Sequence, residues 1–208
     1  MDIGKRFDKV AKEYDTQDKL ERSKQFVKNL LENIPINREF KVMDIGAGTG
    51  TVDILLSPYV KEIVAFDLSE GMLDVFREKV KKEGIKNIRI LKKDLFSEGF
   101  EEKDFDLVIT SMTFHHLDNP AQALNQIKEY LKAGGYVAVI DLYKEDGTFH
   151  SDNTDVKHFG FDEREVESWL KKTGMEKIFY GIIHSIKKSG RDYPVFLIIA
   201  IKNHQSSH

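Results

Sequence analysis

The sequence predicts an α/β fold built on an open, mostly parallel sheet, on three observations. Apolar runs of strand length alternate with helix-compatible segments from residue 41 onward. The first run, Val42-Met43-Asp44-Ile45, ends in Gly46-Ala47-Gly48-Thr49-Gly50 and gives way at once to Val52, Ile54, Leu55 and Leu56, a strand turning sharply into a helix. The last two runs are joined by residues 183–194, too short a span for a helical crossover, so they should form an antiparallel hairpin.

The elements follow in order. Two amphipathic helical patterns precede the first strand: Ile3, Phe7, Val10, Ala11 and Tyr14 share one face, and Leu20, Val27, Leu30, Leu31 and Ile34 share another. Strands are expected near 41–46, 62–67, 87–92, 105–110, 136–142, 176–183 and 194–202. Helices are expected at 50–58, at 69–83 with Gly84 as its stop, and at 119–132. In the last of these Asn119 caps, Pro120 sits in the first turn and Gly134 lies just past the end. Asp162 and Glu165 have the spacing of a capping box for a helix through Trp169 and Leu170 to Gly174. No internal repeat, low-complexity tract or Pro/Gly/Ser-rich linker appears, so residues 1–208 read as a single domain.

A glycine-rich reversal permits positive φ and lets a ligand approach the backbone closely. Asp67, 21 positions after Gly46, closes the second apolar run as an acceptor placed for vicinal ribose hydroxyls. Together they point to a nucleoside-containing cofactor. The spacing is G-x-G-x-G with Thr51 next, where the dinucleotide fingerprint is G-x-G-x-x-G. A nicotinamide-dependent oxidoreductase is therefore the weaker alternative.

With the leading Asp44, the glycine turn resembles the first motif of class I S-adenosylmethionine-dependent methyltransferases, D/E-x-G-x-G-x-G. Phe66-Asp67-Leu68-Ser69-Glu70-Gly71-Met72-Leu73 is similar to the family's segment after the second strand, and the third strand closes on Asp94-Leu95. The stretch from Phe105-Asp106-Leu107-Val108 through His115-His116-Leu117 to Leu131-Lys132-Ala133-Gly134-Gly135 resembles the small-molecule branch, with Ala133 where proline is usual. Phe7-Asp8-Lys9-Val10-Ala11-Lys12-Glu13-Tyr14-Asp15 resembles the opening of the ubiquinone-type members.

The resemblance implies S-adenosylmethionine as cofactor and a seven-stranded Rossmann-like sheet. Its order would be 3-2-1-4-5-7-6, with strand 7 antiparallel and helices on both faces. It also implies cofactor-binding roles for Tyr14, Asp44, Gly46, Gly48, Gly50, Asp67, Leu68, Met72, Asp94, Leu95 and Ser111. Asp67 would hold the ribose, Leu68 and Met72 would pack on the adenine, and Asp94 would accept from its amine. Residues 1–35 would form a helical lid, with Tyr14 closing over the site.

Composition narrows the partners. The chain is 40% hydrophobic and 32% charged, as a globular protein is, and its lack of cysteine removes disulfides, thiolate metal sites and a cysteine nucleophile. A net charge of −3, with lysine pairs scattered among acids, argues against nucleic acid as partner. Without a signal-like or membrane-length apolar stretch, a cytoplasmic protein with no membrane partner is expected. The sequence does not address oligomeric state.

Methyl transfer by in-line displacement at the sulfonium needs alignment and water exclusion more than a particular side chain; a base matters only if the acceptor enters protonated. Candidates for that role are His115 and His116 after the fourth strand, one of which at least should merely pack. His150 and His158 join them, in the long irregular stretch 143–160 read as a substrate-covering loop. His150, His158 and Asp141 lack a diagnostic ligand spacing, and no metal is assigned. The lid and the loop are expected to converge over the acceptor site at the carboxyl ends of the strands. A non-catalytic cofactor-binding protein is the second alternative.

Overall fold

The computed structural model describes Ala11 and residues 15–203. Seven strands form one sheet: β1 (Lys41–Ile45), β2 (Glu62–Asp67), β3 (Ile88–Lys92), β4 (Phe105–Ser111), β5 (Leu131–Leu142), β6 (Glu176–Lys188) and β7 (Arg191–Ile201). Their order is β3-β2-β1-β4-β5-β7-β6, as the resemblance implies. β1–β2, β2–β3 and β4–β5 pair in parallel, and β7 runs antiparallel to both β5 and β6. The helices are α1 (Gln17–Asn33), α2 (Thr51–Leu56), α3 (Glu70–Glu83), α4 (Leu95–Glu98), α5 (Pro120–Tyr130) and α6 (Glu163–Thr173). Among the described residues no helix is long and apolar enough to cross a membrane. The chain divides into two compact units, residues 1–101 and 102–208.

In the first unit, Thr16 caps α1 by accepting from the Lys19 N–H, and the helix buries Phe26, Val27 and Leu30. β1 and β2 are buried along nearly their whole length, with apolar residues on both faces of the sheet. Ser69 caps α3, and Gly84 ends it in the left-handed conformation. Ala65, Leu73 and Phe76 form a core joined by Ala47, Ile54, Val80, Ile88 and Ile90. The short helix α4 was not expected; it exists because the Asp94 side chain accepts from the Phe96 and Ser97 N–H groups.

The second unit departs from expectation at two ends. α5 stops at Tyr130, and the chain passes directly into β5, so Gly134 lies within a strand instead of past a helix. The register against β4 shifts between Phe105 and Leu107, and Gly134, at φ 77°, donates to the Lys202 carbonyl. The terminal hairpin is longer than expected. β6 and β7 meet in the two-residue turn Ser189-Gly190, with φ of 51° and 73°, the left-handed pair that suits strand twist. Pro194 therefore stands inside β7, opposite Ser185. The capping box at Asp162 and Glu165 is present in both its arms.

Gly50 gives a direct test of the first unit. Its φ is +71°, and a Cβ there would lie 2.0 Å from the Phe76 ring. Gly50→Ala combines left-handed strain with overpacking and should destabilise by about 2–4 kcal/mol. Gly84 has the same kind of φ but open space around it, so Gly84→Ala should cost only about 1 kcal/mol. Urea denaturation of the two variants checks the difference.

Candidate functional site

The glycine turn of the first unit is stitched to the end of β2. The Gly46 and Ala47 N–H groups both donate to the Phe66 carbonyl at 2.9 Å. Asp67 then clamps two segments at once: its Oδ2 accepts from the Gly48 N–H and its Oδ1 from the Ser69 N–H, each at 2.8 Å. The ligand-facing turn and the start of α3 are thus held by one carboxylate.

Two more acids stand behind the turn. Asp44 and Asp53 are 2% and 0% exposed. As two carboxylates they offer no donor, and Asp44 Oδ1 and both Asp53 oxygens accept no hydrogen bond among the described residues. Burial, and then the neighbouring Asp53 charge, pushes Asp44 well above the usual carboxylate range. Burial raises Asp53 to about 7, against the pull of its hydrogen bond with Asp44. Asp67 is raised too by burial, restrained by the Ser69 and Gly48 N–H groups.

Cations gather on the outer side of the same turn. Lys79 Nζ donates to the Thr49 carbonyl at 2.9 Å and to Asp15 at 2.8 Å, and Lys19 Nζ reaches Asp15 at 3.0 Å and Thr49 Oγ1 at 2.8 Å. The hydroxyls of Thr49 and Thr51 also donate to Asp15. Burial opposes ionisation of Asp15, yet the bonds from Lys79, Thr49 and Lys19 hold its carboxyl far below the ordinary value. Burial also lowers Lys19 to about 8. Through Asp15 the segment leading into α1 is tied to the glycine turn, a contact that sequence reasoning missed. Asp15 closes the opening motif, but nothing in its spacing points to residues 34 and 36 positions away.

In the second unit, β4 ends at Ser111 and the chain turns through a 3-10 turn, Phe114–His116. His115 is 1% exposed; its Nδ1 lies 2.6 Å from Asp141 Oδ1, and its backbone N–H donates to Asp141 Oδ2. Burial acts to raise Asp141, but His115 and the Leu142 N–H outweigh it, and its carboxyl stays lowered and ionised. The two adjacent rings lie side by side. The His115 and His116 centroids are 4.1 Å apart, and His150 lies 5.0 and 5.6 Å from them.

The stretch 143–160 is pinned along its length. Tyr143 bridges to Phe161, Glu145 N–H donates to the Phe159 carbonyl, and Lys188 Nζ donates to the Phe149 carbonyl. The N–H groups of Lys157 and His158 both donate to the His115 carbonyl. His158 is not among the gathered rings; its Nε2 is bonded to the Leu117 carbonyl at 3.0 Å and its ring lies 5.0 Å from Phe161.

The other expected residues divide. Leu68 is 39% exposed and offers an apolar face at the clamp, but Met72 and Leu95 are 2% and 3% exposed and face the core. One turn beyond the Ser69 cap, α3 points Met72 inward. Asp94 is the cap of α4, with both its bonds on Oδ1. Ser111 is half-buried at the end of β4. Tyr14 and the rest of the proposed lid before residue 15, Ala11 excepted, lie outside the described residues.

The chain is similar in sequence and in fold to several known proteins. A family model described as a methyltransferase domain matches residues 43–139. An uncharacterised methyltransferase of Schizosaccharomyces pombe is 36% identical over 116 residues, 52% of this chain and 41% of that protein. A demethylmenaquinone methyltransferase of Bacteroides fragilis is 32% identical over 114 residues, 52% of this chain and 46% of that protein. The chain spans less than half the length of these two relatives. The solved structure of an S-adenosylmethionine-dependent methyltransferase from Aquifex aeolicus superposes with a TM-score of 0.70 at 24% identity, over 94% of this chain and 98% of that one.

Two predictions follow from the buried charges. Between the unfolded carboxyl value of 3.8 and the folded value of about 7, native Asp53 holds a proton that the unfolded chain has lost, so its contribution to stability falls as pH rises through that window. Asp53→Asn, neutral throughout, should therefore gain stability over the wild type between pH 5 and pH 8, read from urea midpoints. Asp15→Asn should speed hydrogen exchange at the start of α1 while leaving the start of α3 unchanged, since it loosens the tie to the glycine turn and to Lys79 without touching the Ser69 cap.

Proposed function

We propose that the chain, whose residues 43–139 match a methyltransferase-domain model, belongs to the class I S-adenosylmethionine-dependent methyltransferase superfamily and transfers a methyl group from S-adenosylmethionine to a small-molecule acceptor. The observation that carries this reading is the Asp67 clamp, which sets a carboxylate beside the bare backbone of Gly48 at the end of β2. Both oxygens retain lone pairs after accepting one N–H each, so vicinal ribose hydroxyls can donate to them. Asp44 Oδ1, buried without a partner among the described residues, suits the ammonium of the cofactor's amino-acid end. Leu68 supplies an apolar face for a base, and Asp94 Oδ2 an acceptor for an exocyclic amine. These residues fit the group.

The cofactor, when bound, supplies an electrophilic methyl on its sulfonium. The protein's share is to hold it, align an acceptor and exclude water. His116 and His150, both half-buried, can take a proton from an acceptor that arrives protonated. Asp141 fixes the His115 ring and so serves as a positioning residue. His158, engaged with the Leu117 carbonyl, supports the turn from behind. A small-molecule acceptor is favoured by the likeness to the demethylmenaquinone methyltransferase of Bacteroides fragilis and by the net charge of −3, which lacks the concentrated positive field that nucleic acid requires.

Calorimetry should show binding of S-adenosylmethionine and its demethylated product, and none of nicotinamide dinucleotides. Asp67→Ala should weaken both by about ten- to a hundredfold, the scale of charged hydrogen bonds worth roughly 1.5–3 kcal/mol. Incubation with methyl-labelled cofactor and a panel of quinol, phenol, thiol and amine acceptors should give a labelled product. Cofactor binding with no transfer to any acceptor would assign the chain to cofactor binding alone, and dinucleotide binding without either sulfur cofactor would overturn the reading.

A further inference from the structure

Three imidazoles from two separated stretches meet at one point in the second unit. One ring nitrogen each from His115, His116 and His150 lies within 4.8 Å of the others, and His115 Nε2 is 3.1 Å from His150 Nε2. Nitrogens about 2.0–2.1 Å from a tetrahedral metal ion are separated by roughly 3.3 Å, close to that spacing. Side-chain shifts of roughly 1–2 Å bring the third ring onto the same point.

The tautomers agree with this geometry. The Asp141 carboxylate can only accept, so the 2.6 Å bond makes His115 Nδ1 the donor, and in the neutral ring the lone pair is on Nε2. The Asp155 carbonyl likewise fixes His116 Nδ1 as the donor at 2.8 Å. Carboxylates and backbone carbonyls behind ligating histidines orient metal sites in this manner. An N–H···N bond between His115 and His150 accounts for two of the rings. His116 lies within the same 4.8 Å without taking part in that contact, and a buried carboxylate holds His115 at Nδ1.

We propose that His115, His116 and His150 bind a divalent first-row transition-metal ion of the imidazole-preferring class, zinc foremost, with Asp141 and Asp155 as orienting partners. Three neutral nitrogens with no carboxylate in contact with the ion disfavour magnesium and calcium, which take oxygen ligands. A four-coordinate ion would keep one position for water or for an anionic oxygen or sulfur of a ligand. The trio differs from any that sequence spacing indicates: His150, His158 and Asp141 were the residues considered there, but His158 is occupied elsewhere and Asp141 stands behind the first ligand.

The test needs no methyl donor or acceptor, so its result is independent of the proposed activity. Chelator-stripped protein is titrated with zinc against a chromophoric competitor, and with cobalt while the visible spectrum is recorded. One equivalent of zinc and the intense absorption of tetrahedral cobalt are expected. His150→Ala and His116→Ala, both at half-buried positions, should each weaken zinc on the order of a hundredfold or more, and Asp141→Asn by about 10–100-fold. His184→Ala should leave affinity unchanged. Circular dichroism confirms folding of each variant, and X-ray absorption on the zinc-loaded wild type provides a readout that needs no substitution: a shell of three imidazole nitrogens is expected. No stoichiometric binding, binding that survives the His116→Ala/His150→Ala double substitution, or an oxygen-only shell would overturn the site.

Discussion

The Cα of Gly50 sits against the ring of Phe76, with no room for one further carbon, and the rest of the first unit is arranged around that contact. The reversal after β1 can stay this close to α3 only because α3 starts where it does. Its start is held by the Ser69 cap and by the Asp67 bond to the Ser69 N–H. The same Asp67 carboxylate reaches back to Gly48. Strand end, turn and helix start are therefore one mechanical object, in which the residue suited to a ribose also closes the loop that would cradle the ligand. A side chain at Gly50 would force Phe76 out of the cluster it shares with Ala65 and Leu73.

Charge is distributed unevenly around that object. Behind the turn Asp44 and Asp53 are buried with too few donors, an arrangement that costs stability unless a proton or a cation joins them. In front, Lys19 and Lys79 converge on Asp15 and the two threonines, giving a well-bonded network at the surface. A site that keeps its deepest acids short of donors while satisfying its rim is poised to receive a positively charged ligand group.

The second unit solves a different problem. A loop of some twenty residues has to be fixed without regular secondary structure, and backbone groups do this: Tyr143 pairs with Phe161 at the neck, and the His115 carbonyl takes two N–H groups from the far limb. Gly160 is required at the neck because a Cβ would meet the Tyr143 carbonyl oxygen at 2.3 Å. Asp141, next to last in β5, carries its carboxylate from a rigid strand to the buried ring of His115. The histidines are thus held by a strand, a 3-10 turn and a pinned loop, and little side-chain freedom remains to them.

Periodicity and turn chemistry made most of the architecture legible. Apolar runs of strand length, the Asp162–Glu165 box, the Asn119 cap and the G-x-G-x-G turn are local signals, each decided by a few adjacent residues, and the elements they mark are present. The strand order came from likeness to a family, because periodicity is blind to which strands are neighbours. Local reasoning failed where two distant segments compete for the same backbone: Gly134 reads as a helix stop, yet pairing with Lys202 makes it part of β5. The inward turn of Met72, the tie from Asp15 to Thr49 and Thr51, and the meeting of His115 and His116 with His150 were decided by tertiary structure alone. Each depends on where a side chain points once helices and strands have packed, and sequence spacing carries no record of that direction.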